Sequence, residues 1–284
     1  MPELPEIEIL KRHLEPRLEG STIQGVTVFH PRSVRPDTPE KLLEVLADRR
    51  IQTVQRRGKF IVLQLSLNGR DSHSQLIIHL GMTGRLFLEP ASASIRKHTT
   101  VSLSLGKQAL ILKDMRKFGR FTVDTTSIDK LGLDPIDDSL TTSYLFSRLQ
   151  SSRQSIKVKL LDQHIIAGIG NIYAAEALFE SRISPNRKAH ELMRTDCARL
   201  IRAIKKVLKK SIRFGQGLDL DFAGDTPSNG LFYFGSHGTR SAGSSERFAV
   251  YGREKNPCRI CATPISRTIL ASRATFWCHS CQPN

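Results

Sequence analysis

The sequence predicts an α+β protein built from three successive regions, and three patterns carry this prediction. Apolar and polar residues alternate through much of residues 60–124, as in antiparallel strands that bury one face. Residues 143–213 have helical periodicity instead, and four of the five cysteines fall within the last 27 residues. We therefore predict an N-terminal β-rich domain with flanking helices over 1–134, a helical domain over 135–248 and a cysteine module over 249–284.

The charge balance indicates a polyanionic partner. Lys and Arg number 43 against 27 Asp and Glu, which gives a net charge of +16. Such an excess describes what a protein binds rather than how it folds. No apolar run approaches the roughly 18 residues that a membrane-spanning helix needs, and the acidic beginning does not resemble a secretory signal. We expect a soluble, cytoplasmic protein.

The first eight residues, MPELPEIE, combine groups that could perform covalent chemistry. Removal of Met1 would leave Pro2 with a terminal secondary amine, and α-amino groups have a pKa of about 7.7–8.0. A useful fraction of the amine would then be neutral at physiological pH. Glu3 and Glu6 are three residues apart and would share one face of a helix. A neutral amine beside proton-transferring carboxylates could attack an aldehydic or acetal carbon.

The same residues also fit an ordinary helix start. Proline in the first turn, followed by acidic residues, suits the N-terminal end of the helix dipole. Apolar residues at helical spacing predict a helix over 3–19 that ends at Gly20: Leu4, Ile7, Leu10, Leu14 and Leu18. On these residues alone the helix start is the better interpretation. A catalytic role for Pro2 and Glu3 therefore depends on the rest of the chain.

The β-rich domain follows this helix. We predict a second helix over 39–50 and strands over 60–67, 75–88 with a break at 81–84, 99–105, 108–114 and 119–124. Asn68-Gly69 after the first strand is a strong turn dipeptide. By itself the stretch Arg-Arg-Gly-Lys at 56–59 is best interpreted as a basic loop. Phe118, in DMRKFG, either packs in the core or wedges into a base stack, and the sequence leaves both open.

A connector at 131–140 leads into the helical domain. Its helix over 192–212 carries an apolar stripe and a basic face, which we interpret as solvated. In AGIGN, Gly168 and Gly170 would let the backbone approach a ligand, and the next helix would offer free N–H groups to a phosphate. A dinucleotide-binding pattern would need a third glycine where Tyr173 stands, and a preceding strand. We therefore predict a helix–two-turn–helix that grips a DNA phosphate, followed by a long loop over 215–248.

The cysteine module predicts a structural zinc site. Cys258 and Cys261 form one C-x-x-C, Cys278 and Cys281 form another, and 16 residues separate the pairs. This spacing is typical of four thiolates arranged tetrahedrally around Zn²⁺ with no open position for chemistry. Two disulfides are the alternative, which an intracellular protein makes unfavourable. The fifth cysteine, Cys197, lies in a helical stretch and is interpreted as a small core residue.

Together these motifs resemble the formamidopyrimidine-DNA glycosylases, the bacterial repair enzymes for oxidised purines. The matching stretches follow the expected order over nearly the whole chain: PELPEIE, RRGKF, HLGMTGRL, DMRKFG, AGIGNIYAAEALF, YGREKNPCRICATPI and RATFWCHSC. The resemblance implies an N-terminal antiparallel β-sandwich, a helix–two-turn–helix domain and a terminal zinc finger, with damaged double-stranded DNA bound in the cleft between them. It also implies a nucleoid-associated protein, for which a monomer is the default.

The resemblance implies roles residue by residue. Pro2 would be the nucleophile, Glu3 its proton donor and acceptor, and Glu6 a support for that site; Lys59 would complete the catalytic group and grip a phosphate. Further DNA contacts would come from Met82, Arg116 and Phe118 in the gap left by the extruded base, Lys157 near the damaged nucleoside, and Asn171, Arg273 and His98. The implied reaction is base removal through a proline Schiff base, with β- and δ-elimination of the flanking phosphates.

The sequence departs from the family pattern in the loop over 215–248. The family's usual pair of hydroxyl residues is missing there, and Asp219 and Asp221 are present instead. Because this loop folds over the extruded purine in the family, we expect a weaker preference for 8-oxoguanine over formamidopyrimidines. Met115 and Lys117 replace a common proline and a common arginine, and we expect both replacements to be tolerated.

Two other functions compete with this interpretation. An endonuclease VIII-like glycosylase for oxidised pyrimidines would share the fold and the nucleophile, but the start PELPEIE, Met82 and DMRKFG argue against it. A non-catalytic zinc-finger protein that binds damaged DNA would need none of Pro2, Glu3 and Lys59, and all three are present.

Overall fold

The structure is a computed structural model that describes residues 2–67, 70–216 and 248–283, with only the backbone described at 70–73. These residues divide into two compact units. The first contains Pro2, Glu6–Asp129 and residues 215–216; the second contains Glu3–Pro5, Lys130–Phe214 and residues 248–283. The three-domain division predicted above stays a prediction. Nearly all of the loop over 215–248, with the role in lesion choice assigned to it, lies outside the described residues.

The first unit contains a β-sandwich of two antiparallel four-stranded sheets. Its strands are β1 Gly25–Val28, β2 Arg50–Arg57, β3 Phe60–Leu67, β4 Arg70–His79, β5 Arg85–Pro90, β6 Thr99–Ser104, β7 Gln108–Lys113 and β8 Arg120–Thr122. One sheet has the order β1-β6-β7-β5 and the other β2-β3-β4-β8. Both sheets contribute to one buried apolar cluster, as Leu63 and Leu112 illustrate, and helix α1 (Leu4–Leu18) contributes Leu14. The predicted antiparallel β-sandwich is confirmed.

The basic stretch at 56–59 is part of a hairpin rather than a loop. Arg56 and Arg57 end β2, residues 58 and 59 form the turn, and Arg57 pairs with Phe60 at the start of β3. Strand β2 escaped prediction because only Ile51 and Val54 in it are buried, so its sequence shows no period of two. A positive φ of 57° at Gly58 lets the chain turn back at this point.

The end of helix α2 differs from the predicted one, and β1 was not predicted. Helix α2 (Pro39–Leu46) ends four residues early, because Asp48 has a φ of 59° and Arg50 already begins β2. The turn Asn68-Gly69 lies outside the described residues. The strands on either side of it nevertheless pair as in a hairpin, with Leu67 opposite Arg70.

The second unit is helical and carries the cysteine module. Its helices are α4 Thr142–Leu149, α5 Ile156–Leu160, α6 Asn171–Glu180 and α7 Arg194–Gln216, after a short α3 at Thr126–Asp129 in the first unit. Along α7 the apolar stripe is buried, as at Ile204 and Leu208, while Arg202 and Lys209 are exposed, as predicted.

A short hairpin, β9 Ser266–Leu270 and β10 Arg273–Trp277, completes the cysteine module, which packs on α6. Phe179 of α6 shares a buried cluster with Val250, Ile265 and Cys278. The buried carboxyl group of Glu176 accepts hydrogen bonds from the N–H groups of residues 249, 250 and 251 at 2.7–2.9 Å. These contacts fasten the start of the module to α6. Over the ranges described, no helix has the length and apolar character needed to cross a membrane.

Candidate active site and metal centre

The carboxylate of Glu3 is bound at the N-terminus of helix α6. Its Oε2 accepts the N–H groups of Gly170 at 3.0 Å and Tyr173 at 3.2 Å, and its Oε1 accepts that of Ile172 at 2.9 Å. Glu3 is only 3 % exposed. Helix N-termini favour anions because their first N–H groups lack partners in the helix and the dipole is positive there. We predicted from the sequence that N–H groups at this helix start would bind a DNA phosphate. Three of them bind the carboxylate of Glu3 instead.

The glycines of AGIGN make room for this contact. A Cβ atom on Gly170 would lie 2.2 Å from Cδ of Glu3, and one on Gly168 would lie 2.7 Å from the Leu4 side chain. Gly168 also has a φ of 92°, and its carbonyl accepts the N–H of Leu4 at 3.1 Å. The prediction that these glycines permit a close approach is correct, but the group that approaches is the segment of residues 3–4.

Three other predicted catalytic residues are buried in the first unit. Pro2 is buried, Glu6 is 3 % exposed in the first turn of α1, and Lys59 is 6 % exposed in the turn between β2 and β3. Ionisable side chains are seldom buried without a functional or electrostatic reason. Since Pro2 precedes Glu3, the nitrogen of Pro2 and the anchored carboxylate belong to consecutive residues.

An ion pair fixes the hairpin that carries Lys59 to helix α1. Nε of Arg56 lies 2.8 Å from Oε2 of Glu8, and Arg12 contacts the other oxygen at 2.8 Å. Burial alone would raise the pKa of Glu8, but the two guanidinium groups outweigh it, so the pKa is lowered. Glu8 therefore stays charged and holds the end of β2 on the helix.

Lys157, Asn171 and the hairpin of the cysteine module meet at one carbonyl. Nζ of Lys157 donates to Oγ1 of Thr275 at 2.7 Å and to the carbonyl of Ala274 at 3.1 Å, and Nδ2 of Asn171 donates to the same carbonyl at 2.9 Å. Ala274 follows Arg273, so three predicted DNA contacts are linked here. Burial lowers the pKa of Lys157 to about 8, and the charge of Glu3 opposes this effect.

Met82 and Phe118 project from two adjoining turns of the first unit. They are 43 % and 48 % exposed, and the guanidinium of Arg116 lies 4.8 Å from the centre of the Phe118 ring. This exposure excludes the core interpretation of Phe118. His98 is exposed and has a φ of 67°, and its carbonyl accepts the N–H of Asp114 at 3.0 Å.

The four C-terminal cysteines form one cluster that could hold a metal ion. Their sulfur atoms all lie within 4.8 Å of one another, with Cys258 to Cys281 at 3.8 Å and Cys261 to Cys278 at 3.5 Å. Tetrahedral ligation with metal–sulfur bonds of about 2.3 Å places sulfur atoms ~3.8 Å apart, whereas a disulfide needs about 2.05 Å. None of the four is disulfide-bonded, so the disulfide alternative is wrong. Hydrogen bonds from Thr263 lower the pKa of Cys261 to about 6, which favours the metal-binding thiolate.

Sequence reasoning missed residues that position other residues of the site. Thr275 and the carbonyl of Ala274 accept hydrogen bonds from Lys157. Every residue has a backbone carbonyl, so nothing in a single sequence shows which one two side chains will share. Asp114 was quoted as part of DMRKFG but given no role, although it is fully buried and accepts four hydrogen bonds. An aspartate that opens a short glycine-containing stretch often bonds to the backbone of a turn, and this was the available signal.

Comparisons with known proteins cover the whole chain. Residues 1–121 match the model of the formamidopyrimidine-DNA glycosylase N-terminal domain, and residues 131–221 match that of the formamidopyrimidine-DNA glycosylase H2TH domain. Formamidopyrimidine-DNA glycosylases from Janthinobacterium sp. (strain Marseille) and Herpetosiphon aurantiacus are 35 % and 38 % identical, over 99 % of this chain and 100 % of theirs.

Solved structures agree with these relatives. A Lactococcus lactis FPG mutant bound to DNA containing Fapy-dG has a TM-score of 0.83 at 29 % identity, over 100 % of both chains. The MutM (FPG) protein of Thermus thermophilus has a TM-score of 0.80 at 34 % identity, over 99 % of this chain and 98 % of that one.

The anchoring of Glu3 can be tested at Gly170. We expect Gly170→Ala to lower the free energy of unfolding by ~2 kcal/mol or more, because its Cβ would displace the Glu3 carboxylate from three N–H donors. Amide exchange at residues 172 and 173 should accelerate. Gly25→Ala is the control, since nothing lies within 4 Å of a Cβ there, and it should stay within about 0.5 kcal/mol. Equal stability and unchanged exchange in both variants would contradict the anchoring.

Proposed function

The chain belongs to the formamidopyrimidine-DNA glycosylase family, and we propose that it removes oxidised purines from DNA and cleaves the strand at the resulting abasic site. One observation carries the proposal: the buried carboxylate of Glu3 is immobilised by three N–H donors directly after Pro2 in the chain. An amine and a fixed carboxylate on consecutive residues form a nucleophile and its proton carrier. Similar proteins bound to DNA with Fapy-dG or an abasic site support the substrate class.

The reaction begins with extrusion of the damaged nucleotide. A base inside a duplex cannot be reached, so it must leave the stack at a cost of a few kcal/mol. Exposed apolar side chains can offset this cost by occupying the gap, as minor-groove wedges do. We assign this role to Met82 and Phe118, with the guanidinium of Arg116 on the phenyl ring.

Pro2 then acts as the nucleophile. After removal of Met1 its neutral nitrogen attacks C1′, the C1′–N9 bond breaks, and the base leaves with a proton. The nitrogen, now bonded to C1′, loses its own proton and regains a lone pair. Protonation of O4′ opens the sugar, and the nitrogen lone pair completes a C1′=N⁺ iminium. Loss of a C2′ proton expels the 3′-phosphate, and a second elimination expels the 5′-phosphate. Glu3 gives and takes these protons, and Glu6 supports the site from the first turn of α1.

Polar and cationic side chains hold the DNA backbone on either side of the lesion. We assign phosphate contacts to Lys59, Asn171, Arg273 and His98, within a chain of net charge +16. Lys157 is fastened to the same hairpin as Arg273, and with a pKa of about 8 it can be protonated or neutral near physiological pH. We assign it to the damaged nucleoside. Phosphate contacts carry no sequence information, so they supply affinity for any duplex.

We propose that the metal is Zn²⁺ and that it is structural. Four thiolates fill a tetrahedral shell and leave no position for a reacting group. The ligands hold the ends of the β9–β10 hairpin, and β10 in turn holds Lys157 and Asn171 through Ala274 and Thr275. Zinc therefore supports DNA contacts at a distance from the ion.

The proposed activity is tested on duplex oligonucleotides that carry one 8-oxoguanine or formamidopyrimidine. The protein should release the base and leave phosphates at both ends of the gap. Glu3→Gln should slow base release by at least ~10²-fold, the usual contribution of a general acid–base, while lesion binding persists. Glu15→Gln, a solvent-accessible glutamate of α1 paired with Lys11, should match the wild type. A wild-type protein that releases neither purine would refute the function.

The structural role of zinc is tested by removing one ligand. Metal analysis should find one zinc per chain, and Cys278→Ser should lose both the metal and most DNA affinity, because the hairpin then loses its anchor. The β-sandwich should stay folded, as amide exchange of β3 and β7 would report. Cys197→Ala, at a buried cysteine outside the cluster, should keep zinc and DNA binding. Wild-type DNA affinity in a metal-free protein would contradict this role.

A further inference from the structure

We propose that Asp114 is a positioning residue that locks two turns into a single wedge for entry into the base stack. Met82 lies on one turn and Phe118 on the other. The inference rests on the proposed function for the role of the wedge, and it goes further by naming the group on which the geometry of the wedge depends.

Both oxygens of Asp114 are occupied by donors of its own turn. Oδ2 accepts the N–H groups of Phe118 and Gly119, each at 2.7 Å, and Oδ1 accepts the N–H of Arg116 at 3.1 Å. Asp114 is fully buried, whereas Phe118 is 48 % exposed. The carboxylate thus fixes the backbone on which Arg116 and Phe118 stand.

The same carboxylate reaches the second turn. Oγ1 of Thr83 donates to Oδ1 of Asp114 at 2.5 Å, and Thr83 follows Met82 in the chain. The two turns also touch at Gly81, where a Cβ atom would lie 2.7 Å from the backbone carbon of Phe118. Gly81 has a φ of 60°, and its N–H donates to Nδ1 of His79 at 3.2 Å. The turn that carries Met82 is therefore bonded to Asp114 through Thr83 and to His79 through Gly81.

The turn needs this support because its backbone is unfavourable. Lys117 has a φ of 57°, a left-handed conformation that a residue with a side chain adopts at a cost. Such conformations persist only where surrounding contacts determine them. Without the Asp114 acceptors, the N–H groups of Phe118 and Gly119 would lose their partners, and the turn could relax to a cheaper conformation that carries Phe118 elsewhere.

A fixed wedge is useful because Met82 and Phe118 are then already in position before they enter the stack, and no further ordering is needed on binding. Ordering a turn and its side chains on binding would subtract from the energy available for extrusion. Loss of Asp114 should therefore impair steps that require insertion more than steps that do not. An abasic sugar has no base to unstack or unpair, so its cleavage should depend less on the wedge.

The experiment uses the full-length protein with two matched pairs of variants. Asp114→Asn keeps the size of the side chain but places an amide donor against backbone donors, and Asp129→Asn is its control at an exposed aspartate of the same unit. Thr83→Val keeps the shape but removes the hydroxyl. Thr83→Ser keeps the hydroxyl and removes only the methyl group. If Asp114→Asn does not fold, the Thr83 pair decides the question.

Single-turnover rates are compared on two duplexes, one with 8-oxoguanine and one with an abasic site. Asp114→Asn should slow 8-oxoguanine release at least about tenfold, equivalent to ~1.4 kcal/mol of activation free energy, and Thr83→Val about fivefold. Abasic cleavage should stay within about threefold, and both controls should match the wild type. Equal losses on both duplexes would indicate a merely structural role and overturn the proposal, as would no loss on either.

Insertion can also be measured without turnover, which separates this inference from the proposed function. A 2-aminopurine next to a stable abasic analogue brightens when its stacking is disrupted. At saturating protein, the wild type, Thr83→Ser and Asp129→Asn should give the full rise, and Asp114→Asn and Thr83→Val a smaller one. If the wild type brightens the probe but releases no oxidised purine, the function fails while the inference stands. A full rise in Asp114→Asn and Thr83→Val would overturn the inference.

Discussion

The binding of Glu3 at the N-terminus of α6 is the interaction on which the proposed active site depends. A chain terminus is ordinarily mobile, and a nucleophile placed there would need ordering for each reaction. Three N–H donors at 2.9–3.2 Å remove that freedom from the residue after Pro2. The helix dipole, the glycines at 168 and 170 and the burial of Glu3 all serve this one contact. Residues 2–4 are thus a buried part of the folded structure.

Buried acidic groups organise three segments of a strongly basic chain. Glu3 bonds to the start of α6, Asp114 holds the turn of Phe118, and Glu176 holds the segment that leads into the cysteine module, each through several backbone N–H groups. Backbone N–H groups suit these carboxylates because the fold fixes their positions, and the lysine and arginine side chains stay available for other contacts. Many cations, such as Arg202 and Lys209 on α7, stay at the surface, where they can attract a polyanion.

The sequence predicted most of what periodicity and spacing encode. The antiparallel sheets, the long amphipathic α7 and the cysteine cluster were predicted because alternation, helical spacing and C-x-x-C pairs are local signals. Strand β2 was missed because tertiary contacts, not its own pattern, hold it in a sheet. The partner of the AGIGN amides was also missed, since Glu3 lies 167 residues from Gly170 and no spacing connects them. The contact of Lys157 and Asn171 with Ala274 was not predicted, because both side chains bond to its backbone carbonyl.

The central claim is that the nitrogen of Pro2 forms the covalent bond to DNA. Borohydride added during turnover reduces an iminium to a stable amine, so it should trap a protein–DNA adduct, and peptide mapping should place that adduct on Pro2. Protein that retains Met1 should form none, because the nitrogen of Pro2 is then an amide, and intact mass distinguishes the two forms. An adduct on Lys59 or Lys157, or equal trapping in protein that retains Met1, would contradict the claim.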